Sequence, residues 1–182
     1  LDFVLAQSMR QLFAYGDTSL LAFDNLLVQH EHFFPPQFDR PSFLDNHDMD
    51  RFLFICGRDV HKLKLAALCQ FTLKGQPLVY YGTEVGMSQS QPIHDSASQG
   101  MAECRQPMIW GEAQNKELLA YYKWLIHFRR DHPVLWRGCR QTVHLDAEQR
   151  TYAYTVSDEQ ETVLVVMNFS EERQTMTVEG QS

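Results

Sequence analysis

Two short apolar runs, Ser42-Phe43-Leu44-Asp45 and Pro77-Leu78-Val79-Tyr80-Tyr81, flank a long apolar stretch over 58–74, and this order constrains the fold more than any other feature. The middle stretch carries Val60, Leu63, Leu65, Ala66, Ala67, Leu68, Phe71 and Leu73, enough apolar surface for a buried helix that Gly75 stops. Strand, helix, strand with short connections is a βαβ unit, which implies parallel neighbours and a right-handed crossover. The first strand ends in a polar cluster, Asn46-His47-Asp48, and the second in Gly82-Thr83-Glu84. An α/β fold is predicted.

The flanking segments extend this unit. Val4, Leu5, Met9, Leu12 and Phe13 fall at helical spacing, as do Leu20, Leu21, Phe23, Leu26 and Leu27, so two helices are expected over 4–15 and 19–28, parted near Gly16-Asp17. His30-Glu31-His32-Phe33-Phe34-Pro35-Pro36 reads as a loop, because successive prolines remove amide donors and force extended geometry before them. Residues 86–112 are rich in Gln, Ser, Gly and Pro without period and read as a long irregular excursion. A helix over 114–131 follows, closed by His132-Pro133. From Cys139 the period becomes two, with strands expected over 142–145, 151–156, 162–168 and 174–178. The chain therefore divides near residue 138 into an α/β part, 1–137, and a small antiparallel β part, 138–182.

The formal net charge of -7 argues against a nucleic-acid partner, which would demand a basic face. Apolar runs such as Leu63 to Leu68 and Val163 to Met167 fall far short of the roughly 20 residues that span a bilayer, so no membrane partner is expected. Cys56, Cys69, Cys104 and Cys139 are too widely separated for a redox pair or zinc knuckle. Reduced structural thiols favour a cytoplasmic compartment, and localisation otherwise stays open. His30, Glu31 and His32 could ligate a metal, but nothing of matching spacing completes a four-ligand site, and no metal or other cofactor is expected.

Polar groups at the C-terminal end of a parallel strand lie where α/β folds bind ligands. There Asp48 could stabilise developing positive charge while His47 donates a hydrogen bond to a substrate. The alternative is a turn in which Asn46 and Asp48 cap the following segment and His47 merely packs. Phe43-Leu44-Asp45-Asn46-His47-Asp48, followed by Arg51-Phe52, resembles the signature of the seventh barrel strand in the α-amylase superfamily. The string from Gly75 to Met87 is similar to that family's eighth strand and loop, and Arg105-Gln106-Pro107-Met108-Ile109-Trp110 to its Arg-x-Pro-Met-x-Trp element. Leu125 to Pro133 resembles the end of the last barrel helix, and the four elements stand in family order. The Tyr80 to Met87 loop and the Arg105 to Trp110 element look most like the neopullulanase, cyclomaltodextrinase and maltogenic amylase branch.

The resemblance implies the C-terminal part of a (β/α)8 barrel, about strands seven and eight with their helices, followed by a partial β-sandwich domain. It implies a retaining glycoside hydrolase acting on α-glucosidic linkages of starch-type oligosaccharides or cyclodextrins, or an α-glucan transferase of the same superfamily. Residue by residue, Asp48 matches the third catalytic carboxylate and His47 the histidine that binds the sugar where cleavage occurs. Asn46 joins them as a substrate-binding residue, and Arg51 would line an adjacent subsite or form a surface ion pair. Tyr80, Tyr81 and Trp110 could stack on sugars or fill the core, and Glu84 is a second candidate beyond a strand end. In the resembled family the nucleophile and the acid lie on the fourth and fifth strands, and neither is identifiable here, so the isolated chain is expected to be inactive. A non-catalytic carbohydrate-binding or subunit-interface fragment is the alternative from another class. Free strand edges would then recruit a second copy into a homo-oligomer.

Overall fold

The computed structural model describes residues 1–35 and 38–177. Helix α1, Phe3–Met9, starts where Asp2 accepts the Leu5 N–H at 3.0 Å, and it passes directly into a π-helical segment, Arg10–Tyr15. That segment ends at Gly16, whose φ of 71° is the left-handed conformation that glycine adopts without steric cost. Helix α2, Leu20–Phe33, is capped by Ser19 through the Ala22 N–H. Strand β1, Ser42–Phe43, precedes a four-residue helix α3, Phe52–Ile55, and the long helix α4, Val60–Thr72. Strand β2, Pro77–Leu78, pairs with β1 in parallel, Ser42 opposite Pro77 and Phe43 opposite Leu78. The segments after both strands therefore leave by the same edge.

Gln70 on α4 reinforces this short ladder by donating to the carbonyls of Ser42 and Leu78, both at 3.0 Å. Helix α5, Lys116–Asp131, begins at an Asn115 cap and stops before Pro133, and α6, Val134–Arg137, leads into the second part. There β3 (Cys139–Asp146), β4 (Thr151–Ser157) and β5 (Thr162–Asn168) form one antiparallel sheet in the order β3-β4-β5. Tyr152, Tyr154, Val163, Val165 and Met167 from this sheet join Met9, Phe23, Leu63, Leu118 and Leu125 in one hydrophobic cluster. Thr72 and Tyr154 hydroxyls meet at 2.5 Å within it, tying α4 to β4.

Two sequence expectations need correction. The run from His30 is not a loop: α2 continues to Phe33, and only Phe34, at φ -97° and ψ 139°, is extended. A proline excludes helical geometry at the residue just before it and removes its own N–H, so Pro35 bars Phe34 and leaves the preceding turn free to form. His30 is buried rather than solvated, its Nε2 lying 3.0 Å from Asp2 Oδ1 while Arg40 Nη1 donates to Nδ1 at 3.1 Å. Second, 174–177 form no strand, and Val178 lies outside the described residues, so the antiparallel part is a single three-stranded sheet rather than a sandwich among the described residues. The helix expected over 58–74 forms as Val60–Thr72, and the separate short helix α3 precedes it, set off where Gly57 and Arg58 both take positive φ.

Candidate active site

The site begins with a buried brace behind the strand end. Asp45, fully enclosed, accepts the Phe52 N–H at 2.8 Å and the Thr83 hydroxyl at 2.9 and 3.1 Å on its two oxygens. One carboxyl group thereby starts α3 and locks the exit of β1 to the turn that follows β2. Burial raises its pKa, and the Phe52 and Thr83 hydrogen bonds and the Arg51 and Arg10 charges only partly oppose that shift. Arg10, from the start of the π-helical segment, donates to the carbonyls of Leu44 at 3.3 Å and Asp50 at 3.1 Å, holding both ends of the intervening turn.

On this support Asn46, His47 and Asp48 turn outward. Asn46 Oδ1 accepts the Asp48 N–H at 2.8 Å, a local turn that Asn forms readily. The capping role weighed for Asn46 is thus realised, while His47 and Asp48 do not pack inward: their side chains are 64% and 60% exposed, with His47 Nε2 3.2 Å from Asp48 Oδ2. The turn and the exposed pair coexist. Glu84 sits on a short 3-10 turn, Thr83–Val85, at the same edge, and one of its carboxylate oxygens is enclosed without a hydrogen-bond partner among the described residues. No described hydrogen bond or ion pair joins it to residues 46–48.

Arg105 completes the cluster, a role that sequence reasoning did not assign. Its Nη2 donates to Asp48 Oδ1 at 2.8 Å and its Nε to the His47 carbonyl at 2.7 Å. Cys104 Sγ also reaches that carbonyl, at 3.3 Å. The Arg-Gln-Pro-Met-Ile-Trp string contained the arginine, but nothing in a linear sequence tied it to Asp48, 57 positions away.

Arg51 is the clear correction. It is 0% exposed, so it neither lines an open subsite nor makes a surface ion pair. As the residue before α3 it turns inward, donating from Nε to the Cys104 carbonyl at 3.0 Å and from Nη1 to the Tyr81 carbonyl at 2.5 Å. Its guanidinium lies 4.4 and 4.7 Å from the Tyr80 and Tyr81 ring centres. Tyr80 and Tyr81 thus enclose a cation, while Tyr81 remains 38% exposed and donates from its hydroxyl to the Gln106 carbonyl at 2.7 Å. Trp110, at 75% exposed, is free of the core.

Among the described residues no three His, Cys, Asp or Glu side chains converge as a metal-holding group, and no helix is long and apolar enough to cross a membrane. A groove of about 740 Å³ is lined by Gly75, Pro77, Ile126 and Trp136 at the entry of β2, the opposite end from Asp48. It lacks the convergent carboxylate and imidazole of the other edge.

The chain is similar to known proteins over most of its length. Residues 4–125 match the family described as Alpha amylase, catalytic domain. The chain is 36% identical over 175 residues to a cyclomaltodextrinase of Geobacillus thermopakistaniensis (strain MAS1), covering 94% of the chain and 28% of that protein. It is 34% identical over 182 residues to neopullulanase 2 of Thermoactinomyces vulgaris, covering 98% of the chain and 30% of that protein. A solved cyclomaltodextrinase superposes at a TM-score of 0.89 and 30% identity, over all of this chain and 30% of that one. The chain thus spans about 30% of the length of the relatives it matches. With two thirds of its residues inside the family's catalytic domain and its two parallel strands presenting Asn-His-Asp at one edge, the chain belongs to the α-amylase family and carries part of that family's barrel fold.

Proposed function

We propose that the chain is the C-terminal part of a retaining glycoside hydrolase acting on α-glucosidic linkages of starch-type oligosaccharides or cyclodextrins. In this reading β1 and β2 are the seventh and eighth strands of the catalytic barrel, residues 1–137 belong to that barrel, and 138–182 begin an antiparallel β domain. The observation that carries the reading is the exposed Asp48 carboxylate beside His47, at the edge where two parallel strands end.

Cleavage of a glycosidic bond passes through an oxocarbenium-like transition state, in which positive charge develops on the sugar. Asp48 supplies a fixed negative charge to that centre, and the imidazole of His47 holds a sugar hydroxyl beside it. Asn46 shapes the turn that presents both. The nucleophile and the proton donor of a retaining mechanism stand about 5 to 5.5 Å apart and come from elsewhere in the full-length protein. Transfer to another sugar differs only in what attacks the intermediate, so an α-glucan transferase uses these residues identically.

The test compares the full-length protein with the isolated 182-residue chain on maltooligosaccharides and cyclodextrins. Turnover is expected from the former and none above background from the latter, since one charge-stabilising carboxylate cannot supply both bond-making groups. Light scattering on the isolated chain should report self-association, because unpaired strand edges recruit neighbours. Turnover by a monodisperse isolated chain would overturn the reading.

A further inference from the structure

Arg105 holds Asp48 directly, and a second arginine stands behind it. Arg51 is three residues from Asp48, wholly enclosed, and has no carboxylate within ion-pairing distance among the described residues. Its charge reaches the buried Asp45 carboxyl without a direct ion pair, and a buried cation held this way is expensive and persists where it organises its surroundings. Arg51 does so at three points. Its backbone N–H donates to Gln89 Oε1 at 2.7 Å, its Nε to Cys104 at 3.0 Å and its Nη1 to Tyr81 at 2.5 Å. These partners lie just beyond β2 and on two separate stretches of the excursion. Nη2 finds no hydrogen-bond acceptor among the described residues, but the guanidinium lies over the rings of Tyr80 and Tyr81.

The segment that Arg51 grips is the one that grips the site. Cys104 Sγ and Arg105 Nε both bond the His47 carbonyl, and Arg105 Nη2 takes Asp48 Oδ1. Asp50 extends the clamp, accepting from Gln89 Nε2 at 2.5 Å and from the Ile93 N–H at 2.9 Å. We infer that Arg51 is a positioning residue for Asp48, acting through the Cys104-Arg105 segment that it holds against Tyr81, just beyond β2. Only a planar fork meets two carbonyls on separate segments while stacking on aromatic faces, so lysine cannot substitute even though it keeps the charge. The kinetic part of the inference rests on the catalytic reading of Asp48; the structural part does not.

The experiment uses the full-length protein carrying Arg51→Lys, Arg105→Ala or both. Cys104 is fully enclosed, as are Cys56 and Cys69 on other elements, so iodoacetamide labelling with peptide mapping reads the strut directly. Arg51→Lys should accelerate alkylation of Cys104 by about tenfold or more and leave Cys56 and Cys69 protected, the mark of local opening. It should lower kcat by about 10² with KM little changed, as expected when a reacting group is displaced by about 1 Å. The double variant should be no slower than Arg105→Ala alone, because both changes cut one strut. Continued protection of Cys104, equal exposure of all three thiols, or kcat losses that multiply would each overturn the inference. If Asp48→Asn retains full kcat, the catalytic reading fails, while the Cys104 rates still decide whether Arg51 is the brace.

Discussion

Two of the aspartate–arginine pairs among the described residues have nearly identical lengths in opposite surroundings. Asp48 and Arg105 meet at 2.8 Å with side chains 60% and 46% exposed; Asp24 and Arg140 meet at 2.9 Å with side chains 13% and 4% exposed. The second pair joins α2 to the antiparallel sheet, and Asp24 also accepts from the Tyr152 and Thr142 hydroxyls at 2.6 and 2.5 Å. Arg140 donates in addition to Glu31 at 3.3 Å. Distance alone therefore says little about what an ion pair does. Exposed pairs contribute about 0–1 kcal/mol because water competes for both charges, whereas removing one partner of a buried pair strands the other and costs about 3–5 kcal/mol. The inner pair holds two parts of the fold together. The outer pair leaves a carboxylate accessible and aimed.

Breaking the outer carboxylate should give the largest change, and in activity only. Asp48→Asn in the full-length protein keeps shape and removes charge, so kcat should fall by about 10³-fold or more with an unchanged melting curve, measured by steady-state kinetics beside thermal unfolding. An unchanged kcat would put Asp48 in the same class as any surface carboxylate.

Breaking the inner pair should do the reverse. Asp24→Ala removes the nearer carboxylate of Arg140, leaving Glu31 at 3.3 Å, and takes the acceptor from the Thr142 and Tyr152 hydroxyls, so it should cost about 3 kcal/mol in urea unfolding, with kcat per folded molecule retained. The pair also sets a pH dependence. Burial pushes the Asp24 carboxyl up, but hydrogen bonds from Thr142, Tyr152 and Arg140 and the charge of Arg140 together outweigh it and hold the carboxyl below its ordinary value. A depressed folded pKa gives stability that is present above the unfolded value, about 3.9, and is lost as the pH falls through the folded value. The acid limb of the stability curve below about pH 4 should be shallower in Asp24→Ala than in the parent. Equal acid limbs would mean that Asp24 is not held as a carboxylate. The smallest effect belongs to the exposed arginine, whose replacement by alanine should change unfolding free energy by less than about 1 kcal/mol. A loss as large as that of Asp24→Ala would erase the distinction between the two pairs.

The sequence exposed one half of this contrast better than the other. The parallel βαβ unit and the strand-end position of Asn46, His47 and Asp48 were legible because apolar periodicity and chain order report them. Arg51 was misjudged because an arginine beside a polar turn looks the same in sequence whether it faces water or two carbonyls. His30 was misjudged because two prolines were allowed to veto a whole turn of helix instead of one residue. Arg105 and Arg140 work through partners 57 and 116 positions away. Such pairings leave no local period, since they depend on how elements dock rather than on how each forms.

The π-helical turn at Arg10–Tyr15 bears on how this chain can tolerate changes in length. A π turn holds one residue more than the α turn it replaces, so it behaves as an insertion that the helix absorbs without breaking. Deleting one residue there would restore a regular helix but rotate everything on one side of the deletion by about 100° relative to the other. Either Arg10 would swing away from Leu44 and Asp50, or Leu12 and Phe13 would leave the core. The extra residue lets one continuous helix satisfy two neighbours that are out of phase, the turn bearing His47 and Asp48 on one side and the apolar interior on the other. A single-codon deletion within 10–15 should therefore be more damaging than an equal deletion in the irregular stretch 94–100, where no phase relation has to be kept.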